Sequence, residues 1–130
     1  MKDDENLLHI SSTIANIACV DEGKTMFGMK GGISLIIQIL DRCSTNFDEK
    51  SQADQAIVEE IQRMCSCTIF ALATVAENCG NIVDDSGVES LINLLASNCN
   101  ENRYCSIMTL CKISRVREAL PKFAMQGGEH

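Results

Sequence analysis

The chain has 130 residues with 18 acidic against 11 basic side chains, 45% hydrophobic residues, 4% aromatics, 8 cysteines and a single proline. That length fits one domain able to bury about two thirds of its unfolded surface, and the balance of charge and apolar content excludes wholesale disorder. The net charge of −7 argues against a nucleic-acid module, whose affinity comes from clustered Lys and Arg.

The opening Met1-Lys2-Asp3-Asp4-Glu5 is acidic where a secretory or mitochondrial leader would be basic, so the cytoplasm or the nucleus is the expected compartment. A first helix is predicted near 8–19, containing Thr13-Ile14-Ala15-Asn16-Ile17-Ala18. The Gly31-Gly32 pair then starts a helix whose apolar residues Ile33, Ile36, Ile37 and Leu40 fall at helical spacing on one stripe. The stretch Asp41 to Glu60, with 6 acids and 2 bases, reads as a solvated loop; its functional alternative is an acidic or phosphorylated docking loop around Ser44-Thr45 and Ser51. A helix near 57–79 follows, carrying Ala71-Leu72-Ala73-Thr74-Val75-Ala76, and is apolar over most of its circumference, the pattern of a helix sandwiched between others. The uncharged run Met64 to Ala76 covers 13 residues, short of the roughly 20 that a membrane span needs. Gly87 starts a second short helix with Val88, Leu91, Ile92 and Leu95 on one stripe. A last long helix near 101–115 carries Thr109-Leu110-Cys111-Lys112-Ile113-Ser114.

Cys19, Cys43, Cys65, Cys67, Cys79, Cys105 and Cys111 sit in or beside these apolar segments and read as compact core filler. Cys65 and Cys67 would point about 200° apart on a helix and so do not share a metal, and the histidines are only His9 and His130. Cys99, in the polar run Ser97-Asn98-Cys99-Asn100, is the thiol expected to be most exposed. No phosphate loop, catalytic triad or metal-ligand spacing is found, so no catalytic residue, metal or cofactor is assigned and an enzyme is not expected.

The chain repeats itself. Residues 18–32 and 114–128 agree at six of fifteen positions, pairing Val20 with Val116, Glu22 with Glu118, Phe27 with Phe123, Met29 with Met125, and Gly31-Gly32 with Gly127-Gly128; chance gives about one. Glycine starts at 32, 87 and 128, and third-motif starts at 13, 71 and 109, both span 96 residues. A unit of about 41 residues fits, with about 17 extra residues in the middle copy between Asp41 and Glu60.

These motifs resemble the armadillo repeat, in which a short first helix, a second helix introduced by a Gly-Gly-Ile-Pro-like turn and a long third helix with an Ala-Leu-x-Asn-Leu-Ala-like core follow one another. Ser34 and Glu89 stand where the usual proline would be, and Asn16 alone keeps the third-helix asparagine. The resemblance implies an all-α, right-handed α-solenoid of armadillo repeats, with a HEAT-like array as the alternative. It divides the single segment into a partial repeat at 6–31, a repeat at 32–86 with an inserted loop at 41–60, a repeat at 87–127 and the start of another at 128–130.

In such arrays the long third helices line a concave groove, here helices near 8–19, 57–79 and 101–115. Carried over from the asparagine ladder and the aromatic positions of importin α and β-catenin, the groove positions are Ser12 and Asn16, Phe70 and Thr74, Met108 and Lys112, and Arg115 joins them as a seventh groove residue from the basic end. Charge is polarised, from −9 over residues 1–100 to +2 over 101–130, with Arg103, Lys112, Arg115 and Arg117 at the basic end. The resemblance therefore implies a non-catalytic protein-protein interaction module that binds a protein or peptide partner in the groove. The alternatives are a structural segment of a larger scaffold and nuclear-transport-adaptor-like cargo binding, the latter weakened by the absent tryptophans and by Lys112. Neither end of the segment carries an obvious polar cap, so end-to-end self-association or membership of a longer array is expected. Nucleic-acid and membrane partners are not.

Overall fold

The computed structural model describes residues 2–18 and 20–119. Cys19, the side chains of Lys2 and of residues 117–119, and everything from 120 onward lie outside them. So do the expectations that rest on Phe123, Met125, Gly127-Gly128 and His130. Among the described residues there are seven α-helices and no strand: α1 (Lys2–Ala18), α2 (Asp21–Met29), α3 (Gly32–Ser44), α4 (Gln52–Leu72), α5 (Ala76–Asp84), α6 (Gly87–Leu94) and α7 (Asn100–Ala119), with a 3₁₀ turn at Phe47–Glu49. Among the described residues the fold is all-α, and no helix there is long and apolar enough to cross a membrane.

The helices form where local chemistry favours them. Asp3, Asp4 and Glu5 occupy the first turn of α1, where carboxylates complement the positive end of the helix dipole. Ser51 caps α4, its hydroxyl accepting the Asp54 amide at 3.2 Å, which satisfies one of the orphan N–H groups of the first turn. The single proline is Pro121, so no described helix contains a residue that removes a backbone donor.

The long helices α1, α4 and α7 lie side by side with α4 in the middle. Behind them α3 packs on α4 and α6 on α7, while α2 and α5 close the far side. The core runs through this stack, with Ile33, Ile36, Leu40, Ile61, Ile69 and Leu72 fully enclosed. A chain of side-chain contacts ties the rows together: Asn102 Nδ2 donates to Gln62 Oε1 at 3.5 Å, Gln62 Nε2 to Ser44 Oγ at 3.0 Å, and Ser44 Oγ to the Leu40 carbonyl at 2.7 Å. At the front, Lys50 Nζ reaches Asp4 Oδ2 at 3.1 Å, joining the α3–α4 linker to α1.

The unit α2-α3-α4 recurs as α5-α6-α7. Helices α2 and α5 each have nine residues, and both α2/α5 and α3/α6 start 55 residues apart. Within each unit the first helix turns into the second through a left-handed residue, Gly31 with φ 80° and Ser86 with φ 66°. The glycine that follows lies against the residue five positions earlier: a Cβ on Gly32 would meet the Phe27 ring at 2.4 Å, and one on Gly87 would meet Ile82 Cγ2 at 2.6 Å. These glycines let the second helix fold back onto the first.

Two expectations are corrected. The stretch 41–60 is not a loop: α3 runs to Ser44, a 3₁₀ turn follows, and α4 starts at Gln52. The extra residues are absorbed by length, α3 having 13 residues against 8 in α6, and by an early start of α4. Composition misleads here because the acids Asp41, Asp48, Glu49 and Asp54 are spaced on helix surfaces and in a short turn rather than in a mobile segment. The helix expected at 57–79 is also interrupted. It ends at Leu72, and Ala71–Ala76 spans the exit from α4, the turn and the first residue of α5. Side chains hold this break. Asn78 Nδ2 donates to the Leu72 carbonyl at 2.9 Å and Cys79 Sγ to the Ala73 carbonyl at 3.3 Å, satisfying acceptors that a continuing helix would have used.

Candidate functional site

The residues expected to line a groove fall on α1, α4 and α7 and in the turn that follows α4. Ser12 is half-buried at the α1–α4 seam, its hydroxyl 3.0 Å from Met64 Sδ. Asn16 is exposed on α1; Phe70 on α4 and Met108 and Lys112 on α7 are half-buried, and Arg115 is exposed. Thr74 lies in the turn between α4 and α5, its hydroxyl donating to the Ala71 carbonyl at 2.6 Å. The adjacency of α4 to α1 and α7 thus brings six of the seven positions onto one row of helices and leaves Thr74 just past its end.

Burial supplies a sharper register between these helices. The enclosed residues Gln62, Cys65, Ser66, Ile69 and Ala73 recur 40 positions later as Asn102, Cys105, Ser106, Thr109 and Ile113. Four of them recur 55 positions earlier as Leu7, Ser11, Ile14 and Ala18. In this register Asn16 corresponds to Ala71 and Cys111, and Ser12 to Cys67 and Ile107. The alignment of Asn16 with Thr74 and Lys112 is therefore displaced in the two later helices, and the surplus in the first full unit is 15 residues rather than 17. The sequence match at Thr13, Ala71 and Thr109 was carried by alternating Ala, Leu and Ile, which helices of this composition reproduce at several offsets. Small enclosed polar residues such as Ser11 and Ser66 mark the register better, and they were the overlooked signal.

The face has little unpaired charge near its middle. Arg63 Nε donates to Glu60 Oε1 at 2.9 Å, and the Arg63 guanidinium holds the Glu60 carboxyl below the usual carboxylate range. Lys112 and Arg115 lie toward the C-terminal end of α7. Tyr104 and Ile107, exposed on α7, and Cys67 and Ala71 on α4 join the surface although they were not among the expected positions.

The thiols divide by depth. Cys43, Cys65, Cys79 and Cys105 are buried, Cys67 and Cys99 half-buried and Cys111 exposed, so the most accessible described thiol is Cys111 rather than Cys99. Burial pushes the Cys43 thiol up to about 12 and raises Cys65 and Cys79 as well. That keeps these groups protonated, and their enclosure keeps reagents from reaching them. Among the described residues no group of three or more His, Cys, Asp or Glu side chains is placed to hold a metal.

A concavity of about 730 Å³ opens between the C-terminal part of α3 with the turn after it, Glu59 and Gln62 of α4, and α6 with the segment that follows it. Asp41, Asp48, Glu59 and Glu89 line it, and Ser90 Oγ donates to Asp41 Oδ1 at 2.7 Å across it. Three of these acids come from the stretch 41–60.

Comparison with known proteins finds no family model that matches the chain and no curated sequence that matches it.

Proposed function

We propose that the chain is a non-catalytic armadillo-type solenoid segment that binds a partner polypeptide along the outer face of α1, α4 and α7. The observation that carries this reading is the row itself. Three long helices stand side by side, Asn16, Ala71 and Cys111 occupy equivalent positions on them, and Phe70, Met108, Lys112 and Arg115 are half-buried or exposed nearby. Such a face combines apolar contact with side-chain hydrogen bonding to an extended or helical segment, and its basic end favours a partner with acids at the matching position. A photo-crosslinking amino acid at Ala71, in the middle of the row, should capture a discrete partner from cell extract. The same group at Thr25 on α2, exposed on the far side, should not; equal capture at both sites overturns the reading.

A scaffold segment that stacks through its ends is the second reading, and a comparison of equivalent positions favours it. Ile10 and Ile17 are 44% and 46% exposed on α1, whereas their counterparts Cys65 and Leu72 are fully enclosed because α1 covers them. At the other end Ile92 and Leu95 are 52% and 37% exposed, whereas Ile37 and Leu40 are buried under the following unit. Both ends present surfaces that further helices of this type cover within the chain. Nuclear-transport-adaptor-like cargo binding is a narrower form of the first reading, checked by titrating a lysine-rich peptide.

A further inference from the structure

The seam between α4 and α7 holds a pair of thiols, one of them at the surface of the row of long helices. Cys67 Sγ and Cys105 Sγ lie 3.3 Å apart although 38 residues separate them in the chain. Among the described residues no other two cysteine sulfurs are in hydrogen-bonding contact: Cys43 turns to the Leu40 carbonyl and Cys79 to the Ala73 carbonyl. Cys67 is half-buried on the outward side of α4, whereas Cys105 is 9% exposed beneath it. A disulfide needs sulfurs about 2.05 Å apart on side chains that face each other, so closing this pair takes a shared movement of about 1.2 Å.

We infer that Cys67 and Cys105 are an oxidation site, forming a reversible disulfide that staples α4 to α7 when a hydroperoxide reaches the seam. Cys67, the more accessible thiol, loses its proton and attacks the peroxide. The O–O bond breaks, an S–O bond forms, and the departing oxygen leaves as water when hydrogen peroxide is the oxidant. Cys105 Sγ then attacks the Cys67 sulfenic acid. The S–S bond forms as the S–O bond breaks, and the leaving hydroxide takes the Cys105 proton to give a second water. Two thiols are oxidised by two electrons, and one peroxide is reduced to two waters.

The setting makes the first step slow and the second fast. Burial, and after it the hydrogen bond with Cys105, pushes the Cys67 thiol up to about 12, opposed by the Arg63 guanidinium one turn away. The thiolate is therefore scarce at neutral pH, whereas the resolving sulfur is already in contact. The new bond closes a loop containing α5 and α6, which restricts the unfolded chain and raises the melting temperature. It does not depend on the row of long helices binding a partner.

The full chain is treated with hydrogen peroxide, its remaining thiols are alkylated, and it is digested with trypsin and chymotrypsin for tandem mass spectrometry. The expected product is an intramolecular link between Cys67 and Cys105, two hydrogens lighter, reversed by dithiothreitol, with a melting temperature several degrees higher. In Cys105→Ser the sulfenic acid on Cys67 should persist and react with dimedone, with no rise in melting temperature. Overturning results are a wild-type chain whose first intramolecular disulfide excludes Cys67 or Cys105, or one in which both thiols are still fully alkylated once the peroxide-treated chain is unfolded in denaturant. The wild-type map decides the matter even if Cys105→Ser folds poorly.

Discussion

Ser86 adopts the same left-handed backbone as Gly31, φ 66° against 80°, at the turn that leads from the first to the second helix of each unit. A Cβ in this region is strained, and glycine is not. Ser86→Gly should therefore stabilise the chain by about 0.5–1 kcal/mol, a rise in melting temperature of about 3 °C. Gly31→Ala should cost about 1 kcal/mol, even though a Cβ there meets nothing within 4 Å. Thermal melts by circular dichroism measure both, and unchanged midpoints would remove strain as the reason for the glycine.

Close approach rather than backbone conformation governs Gly28. A Cβ there would fall 1.8 Å from Asn78 Oδ1, and Asn78 is the side chain that bonds the Leu72 and Lys24 carbonyls. Gly28→Ala should displace this amide, uncap α4 and cost about 2–4 kcal/mol through overpacking and lost buried hydrogen bonds. Asn78→Ala should cost about 1–3 kcal/mol. Denaturant titrations check both, and the double variant should cost less than the sum of the two because they disrupt one contact.

The partly buried pair of Lys50 and Asp4, with side chains 23% and 6% exposed, joins the front of α1 to the α3–α4 linker. Lys50→Met should cost about 2 kcal/mol, since it withdraws a charged partner from a buried carboxylate while keeping the apolar stem. The same denaturant titration reads the loss, and a change within experimental scatter would show that the pair contributes as little as a surface ion pair.

Thiol chemistry tests the depth order. With a maleimide reagent Cys111 should label first, Cys67 and Cys99 more slowly, and Cys43, Cys65 and Cys79 only after denaturant is added. Prompt labelling of Cys65 in the native chain would contradict the packing of α4 between α1 and α7.

Much of this architecture was legible in the residues. The Gly31-Gly32 turn and Gly87 located the starts of α3 and α6, and the stripes Ile33-Ile36-Ile37-Leu40 and Val88-Leu91-Ile92-Leu95 identified the faces they bury or present. The break after Leu72 was not legible, because it depends on Asn78 and Cys79 reaching back from the next helix rather than on a glycine or proline at the boundary. The groove register was misread for a related reason. Alternating Ala, Leu and Ile satisfy several offsets, whereas the recurrence of Ser11, Ser66 and Ser106 at enclosed positions distinguishes them only once burial is known. The contact between Cys67 and Cys105 joins residues 38 positions apart, and helix periodicity carries no information about which neighbour a side chain meets.

The uncovered ends should govern self-association. Replacing Ile17 on one end and Ile92 and Leu95 on the other with lysine should reduce dye binding and give a monodisperse monomer by light scattering. Stability should change by no more than about 0.5 kcal/mol, as for surface positions in general. Unaltered scattering would assign any association to another surface.

Affinity capture read by quantitative mass spectrometry tests the proposed partner-binding face on α1, α4 and α7. The chains compared are the wild type, an Asn16→Ala, Phe70→Ala, Lys112→Ala triple variant, and the end variant above, each verified as folded by its melt. A discrete partner should be retained by the wild type and the end variant and lost, at least tenfold, by the triple variant. Retention of that partner by the triple variant at the wild-type level would contradict it.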